Sequence, residues 1–171
     1  MKQLTLFRIL TFILLPIAFL FGIMELIMLP SALANPAILL ILFILAAFVI
    51  YTFISFRFLT KGIDIGRPFK PSLRDWIRVN AFVSGFMGIM FLMNALSIFF
   101  AGELQLRQIF GQFLETQANV PPMLNLELFI KIMKLAAWFM FFMSIVLLVH
   151  IFLNFRLMKI YRYLFEEPLS R

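Results

Sequence analysis

Arg57-Phe-Leu-Thr-Lys-Gly-Ile-Asp-Ile-Gly-Arg-Pro-Phe-Lys-Pro-Ser-Leu-Arg-Asp-Trp-Ile-Arg78 is the stretch whose reading decides the fold. It sets six cations (Arg57, Lys61, Arg67, Lys70, Arg74 and Arg78) against only Asp64 and Asp75, and it divides two strongly apolar halves. Gly62, Gly66, Pro68 and Pro71 break regular structure here, and Ser72 is placed to cap a helix beginning near Leu73. Trp76 and Arg78 suit a membrane interface, where amphipathic rings and snorkelling cations are favoured. Residues 57–78 therefore read as a basic cytoplasmic hinge between two transmembrane hairpins.

Composition supports a membrane protein. The chain is 64% hydrophobic, with 24 Phe and 11 Met, and its mean hydropathy is +1.05. Charged residues make up 13%, against roughly 25% in soluble proteins. A chain of 171 residues cannot bury so much apolar surface within itself. The absence of cysteine removes disulfides, thiol redox chemistry and thiolate metal sites. The net charge of +7 sits beside apolar runs and not on an independent polar surface, which argues for anionic lipid headgroups as partners and against nucleic acid.

Outward from the hinge, the preceding half holds two apolar runs. The first span covers about 9–29, interrupted by Thr11 and Glu25, with Pro16 as a tolerated kink. Pro30-Ser-Ala-Leu-Ala-Asn-Pro36 reads as a tight turn in which Asn35 caps the next helix and Pro36 takes its first position. Ala32 to Ala34 also suits a signal cleavage site, but the length of the apolar run and Glu25 favour a retained span. The second span covers about 37–56.

The following half repeats the plan with an insertion. The third span, about 79–101, is the most polar, with Asn80, Ser84, Gly85, Gly88, Asn94 and Ser97. In 103–116, Leu106, Ile109, Phe110, Phe113 and Leu114 recur at helical spacing among polar residues, the pattern of an amphipathic surface helix. Ala118 to Pro122 ends it. A fourth helix starts near Asn125, with Glu127 placed to pair with Lys131, spans about 127–157 with its apolar crossing from Leu135 to Phe155, and leads into a basic tail over 158–171.

Orientation follows from the cations. With both termini cytoplasmic, Lys2, Arg8, the six of the hinge, Arg156, Lys159, Arg162 and Arg171 lie inside, and only Arg107, Lys131 and Lys134 lie outside. The expected architecture is an all-α integral membrane protein: a four-transmembrane-helix bundle of two hairpins, with an extracytoplasmic amphipathic helix between the third and fourth spans. A compact plan of this kind suits a bacterial cytoplasmic membrane.

A weak internal repeat is visible. Shifted by 99 residues, Phe53-Ile-Ser-Phe-Arg-Phe-Leu59 lies over Phe152-Leu-Asn-Phe-Arg-Leu-Met158, and a shift of 70 lays Arg8 to Phe12 over Arg78 to Phe82. Two hairpins related by an axis along the membrane normal account for this. The plain alternative is that an arginine flanked by phenylalanine suits the inner edge of any membrane helix. On either view Arg8, Arg57, Arg78 and Arg156 form a set of interfacial arginines for anionic headgroups.

Few residues offer chemistry. Glu25 is the only acid within a span, and an intramembrane carboxylate is costly enough to suggest a polar or ion site with Asn94, Lys131 and Lys134, or simple pairing with either lysine. His150, the single histidine, excludes bis-histidine haem and reads as a hydrogen-bonding strut to a neighbouring helix. Ala81, Ser84, Gly85 and Gly88 form a small-residue packing face, with Asn80 and Asn94 expected to bond across it. No catalytic set, cofactor or metal site can be assembled from these residues. The expectation is a non-catalytic membrane protein, an accessory or regulatory subunit with a protein partner or a homo-oligomer. The alternative is a small transporter or channel using Glu25 and Asn94.

Overall fold

The structure is a computed structural model and describes residues 2–116 and 125–166. It is all-helical, with no strand among the described residues. The helices are α1 (Lys2–Ala34), α2 (Pro36–Arg57), α3 (Pro71–Phe100), α4 (Glu103–Thr116) and α5 (Leu126–Ile160). A π-helical turn, Phe58–Ile63, extends α2, and a 3-10 turn, Arg162–Phe165, follows α5. Four of the helices (α1, α2 with its π extension, α3 and α5) are long and apolar enough to cross a membrane.

Their boundaries correct the sequence reading in two places. The turn expected over 30–36 shrinks to Asn35, because α1 runs through Pro16 and Pro30 to Ala34. Each proline withdraws one N–H but leaves the rest of the ladder intact. The chain breaks only where Pro36 forces the residue before it out of the α region. Asn35 accordingly has φ −138° and ψ 109°, and its side chain accepts from the Ala37 N–H at 3.0 Å, the cap expected of it.

The hinge is also narrower than 57–78. Helical structure persists to Ile63 on one side and resumes at Pro71 on the other, so Arg74, Asp75, Trp76 and Arg78 ride on α3. Pro71 is itself the first helical residue, a position suited to its fixed φ, and it displaces Ser72 from the capping role. Asn125 caps α5 by accepting from the Leu128 N–H at 2.9 Å, and Lys131 meets Glu127 at 2.6 Å, as the sequence suggests. The turn expected over 118–122 and the end of the basic tail lie outside the described residues.

The chain divides into two compact units. The first comprises residues up to Gly88 together with those from Val146 onward, and the second comprises Ile89–Ile145. Within the first, Phe12 meets Phe56 and Phe21 meets Phe48, so residue numbers rise on α1 as they fall on α2 and the two helices are antiparallel. Gly85 faces Ile151 and Gly88 faces Leu148, which makes α3 antiparallel to α5 here. Tyr51 meets His150 and Ser55 meets Asn154, so α2 and α5 run parallel. Phe7, Leu14, Phe48, Phe58, Ile77 and Leu147 fill the space between them, each fully buried.

Within the second unit, Phe110 and Phe113 of α4 lay their rings against Phe129 of α5, at centroid distances of 5.0 and 5.4 Å. Leu106 is buried on the same side of α4. Ile109 and Leu114 remain exposed, so the apolar stripe of α4 is wider than the surface that covers it.

Candidate functional site

A chain of buried polar side chains crosses the first unit. Asn154 donates to Tyr51 Oη at 3.3 Å and to Ser55 Oγ at 2.7 Å. Tyr51 Oη lies 2.7 Å from His150 Nδ1, and Thr11 Oγ1 lies 2.9 Å from His150 Nε2. The Thr11 hydroxyl in turn donates to the Phe7 carbonyl at 2.7 Å. Thr11 has one hydroxyl hydrogen and that hydrogen goes to Phe7, so its oxygen accepts from His150 Nε2–H. Nδ1 is then the acceptor for Tyr51 O–H. With the imidazole neutral its hydrogen is on Nε2, and every donor then points the same way, from Asn154 towards α1.

Phe7 stacks on the imidazole at 4.6 Å with the planes 17° apart. All five polar residues of the chain are 1% exposed or less. Burial without partners would cost about 1–3 kcal/mol for each polar group, which is why they bond to one another. At the donor end, Asn154 Oδ1 is buried and has no partner among the described residues. The network joins α1, α2 and α5 and acts as a strut between them.

Cations gather at the end of the first unit that holds the 64–70 connector. A cleft of about 380 Å³ is walled by Arg57, Lys61, Arg67 and Lys70, with Ser72 and Trp76 also on its wall. A second, of about 430 Å³, takes in Arg74, Arg78, Lys159 and Arg162. The two differ in their counter-charges. Asp75 lies 3.8 Å from Arg74 and 3.9 Å from Arg78, and Glu166 lies 3.1 Å from Arg162, so the second cleft is partly compensated. Asp64, which falls in sequence between Lys61 and Arg67 of the first cleft, is instead bound to Arg8 at 2.6 Å. Arg57 sits over the Phe69 ring at 5.9 Å.

The residues singled out by sequence fall in both units. Glu25 belongs to the first unit, half-buried, and its Oε1 has no hydrogen-bond partner among the described residues. Asn94, Lys131 and Lys134 belong to the second. Asn94 is exposed and donates to Met90 O of its own helix, while Lys131 is paired with Glu127. Asn80 likewise donates to Trp76 O of its own helix at 2.8 Å. The small-residue face is occupied from within the chain. Ala81, Ser84 and Gly88 are buried, and a Cβ on Gly88 would stand 3.3 Å from Leu148.

The four arginines read as headgroup contacts have different neighbours. Arg8 is tied to Asp64, Arg57 lines the first cleft, Arg78 lines the second, and Arg156 is exposed. Among the described residues, no three His, Cys, Asp or Glu side chains gather where a metal ion could sit.

Sequence reasoning found His150 as a hydrogen-bonding strut to a neighbouring helix, but not its partners, although a signal for them existed. The shift of 99 that aligns Ser55 with Asn154 also aligns Tyr51 with His150, and both pairs are in contact. Equivalent residues touch in this way when two parallel helices flank a two-fold axis. No protein-family model, no characterised protein and no solved structure matches the chain.

Proposed function

We propose that this chain is a four-span integral membrane protein with both termini cytoplasmic, and that it works without catalysis. In this reading it is an accessory or regulatory subunit, or a homo-oligomer, acting through packed helices. The observation that carries the reading is the engagement of His150: both ring nitrogens are bonded and one ring face is covered by Phe7, so the side chain best suited to proton chemistry serves as a strut. Large apolar groups point outward, among them Leu33, Phe82 and Phe100, each more than three-quarters exposed. Lipid tails and partner helices are the media that cover such surface.

The surplus of cations around the connector supports a cytoplasmic position for that end, in contact with anionic headgroups. The amphipathic α4 then lies at the opposite, extracytoplasmic interface with Ile109 and Leu114 turned to lipid. Purification in mild detergent from native membranes tests the functional reading. A homo-oligomer or a stoichiometric companion subunit is expected, and a lone monomer contradicts it.

One observation favours a second reading, a small transporter or channel: the unpartnered, half-buried carboxylate oxygen of Glu25. In this reading Glu25 acts with Asn94. Reconstituted protein whose ion flux is abolished by Glu25→Gln supports transport, and unchanged flux removes it.

A further inference from the structure

We propose that the cleft between Arg57, Lys61, Arg67 and Lys70 is a stoichiometric binding site for one phosphate-bearing polyanion, a phosphate monoester or a diphosphate. Its first support is electrostatic. Four cations wall one cavity of about 380 Å³, and among the described residues none of the four has a carboxylate partner. The acids closest in sequence are committed elsewhere, Asp64 to Arg8 and Asp75 towards Arg74 and Arg78. Four like charges held around one cavity repel, and a polyanion relieves that repulsion while taking charge-assisted hydrogen bonds from the guanidinium forks of Arg57 and Arg67.

The second support is that the wall is built and not left to chance. The connector is fastened at both ends: Gly66 N–H donates to Gly62 O at 2.8 Å and Arg67 N–H to Lys61 O at 3.0 Å. Gly66 takes φ +74°, a left-handed conformation that glycine adopts without steric cost. Phe69 N–H donates to Leu164 O at 2.7 Å, and the Phe69 ring neighbours both the Arg57 guanidinium and the ring of Phe165. Gly62 is required for this arrangement, since a Cβ there would approach the Phe69 ring to 2.7 Å. The π-helical turn that places Lys61 on the wall is a form that proteins concentrate at functional sites. Trp76, 54% exposed, stands at the cleft.

Two sources share this chemistry, a lipid headgroup and a soluble phosphate. The membrane orientation proposed above puts the cleft at the inner headgroup layer, and the lipid source rests on that reading. Binding of a soluble phosphate does not, so the two proposals fail separately.

The test uses full-length protein in dodecylmaltoside carrying Trp138→Phe, which leaves Trp76 as the only tryptophan. Its fluorescence is titrated with phosphatidic acid in mixed micelles, with phosphatidylcholine as the lipid control, and separately with inorganic pyrophosphate. The expected result is a saturable change with one equivalent of phosphatidic acid or pyrophosphate and none with phosphatidylcholine. The ligand that binds more tightly identifies the source. Arg67→Gln with Lys70→Gln weakens binding at least tenfold, whereas Arg74→Gln with Lys159→Gln, which removes the same charge from the second cleft, changes it less than twofold. Both variants alter exposed or half-buried side chains, and each is checked for an unchanged elution profile. Equal loss in the two variants, or no saturation with either phosphate, overturns the proposal.

Discussion

Tyr51 Oη and His150 Nδ1 stand 2.7 Å apart, although 99 residues of chain separate them. The bond is the middle link of a one-way chain from Asn154 to the Phe7 carbonyl, and it ties α2 to α5 inside an apolar core. Tyr51→Phe preserves the ring and removes only the hydroxyl, leaving His150 Nδ1 and one Asn154 N–H without partners. The loss expected is about 1–2 kcal/mol, between the mean for buried membrane hydrogen bonds and the cost of an unsatisfied buried group. Denaturant unfolding in detergent measures it.

The coupling within the network provides a sharper check. Tyr51→Phe and Thr11→Val attack opposite nitrogens of one imidazole, so their effects should not add. A double-mutant cycle is expected to give a coupling energy of at least about 0.5 kcal/mol. Additivity to within error would mean that the His150 bonds act independently.

Arg8 and Asp64 make the contrasting case. Their contact is short, at 2.6 Å, but both side chains are substantially exposed, 46% and 34%. Asp64→Asn should therefore cost less than about 1 kcal/mol. The cost should vanish at molar salt, where screening is complete within a few ångströms. The Tyr51→Phe loss, arising in a dry core, should be insensitive to salt.

Gly88 tests the packing of α3 on α5. Alanine there gains roughly 1 kcal/mol of helix propensity over glycine. Its Cβ would press on Leu148 at 3.3 Å, a contact that a small side-chain shift absorbs. Gly88→Ala should be close to neutral. Gly88→Leu has no such escape and is expected to lose about 1–3 kcal/mol by overpacking. The oligomeric state should stay the same in both variants, because this face is already filled by the chain itself.

Much of the fold was legible because a bilayer-length apolar run is a coarse and redundant signal. The four long helices follow from it directly, and the bounds of α4, Glu103–Thr116, follow from its amphipathic spacing. Asn35 was legible as a cap because the cap and Pro36 are neighbours in sequence. Pro30 misled, since proline ends a helix far more readily in water than where the helix is held by α2 alongside. The helix that the sequence starts near Leu73 begins at Pro71, so Arg74 and Arg78 of the basic stretch lie on α3 and only 64–70 stands between helical segments. The polar network was the least legible part. Thr11, Tyr51, Ser55, His150 and Asn154 lie on three helices, and nothing local shows that they meet.

Glu25 bears on the choice between the two functional readings. If it is a solvated or lipid-edge carboxylate and not an ion site, Glu25→Gln removes a charge from an apolar span and should leave stability unchanged or raise it. The expected gain is below the roughly 2.5–3.5 kcal/mol of a charge at the bilayer centre. Unfolding of the purified variant, compared with the parent, provides the measurement.

Membrane topology, with the cationic end on one side, is what the functional proposals share, and the absence of native cysteine makes it directly measurable. Single cysteines at Ile65, which is 74% exposed beside the cationic cleft, and at Gln105, on the polar side of α4, are probed in intact cells with a membrane-impermeant maleimide. The account predicts immediate labelling of Gln105→Cys, and labelling of Ile65→Cys only after the membrane is opened. Labelling of Ile65→Cys in intact cells would contradict it.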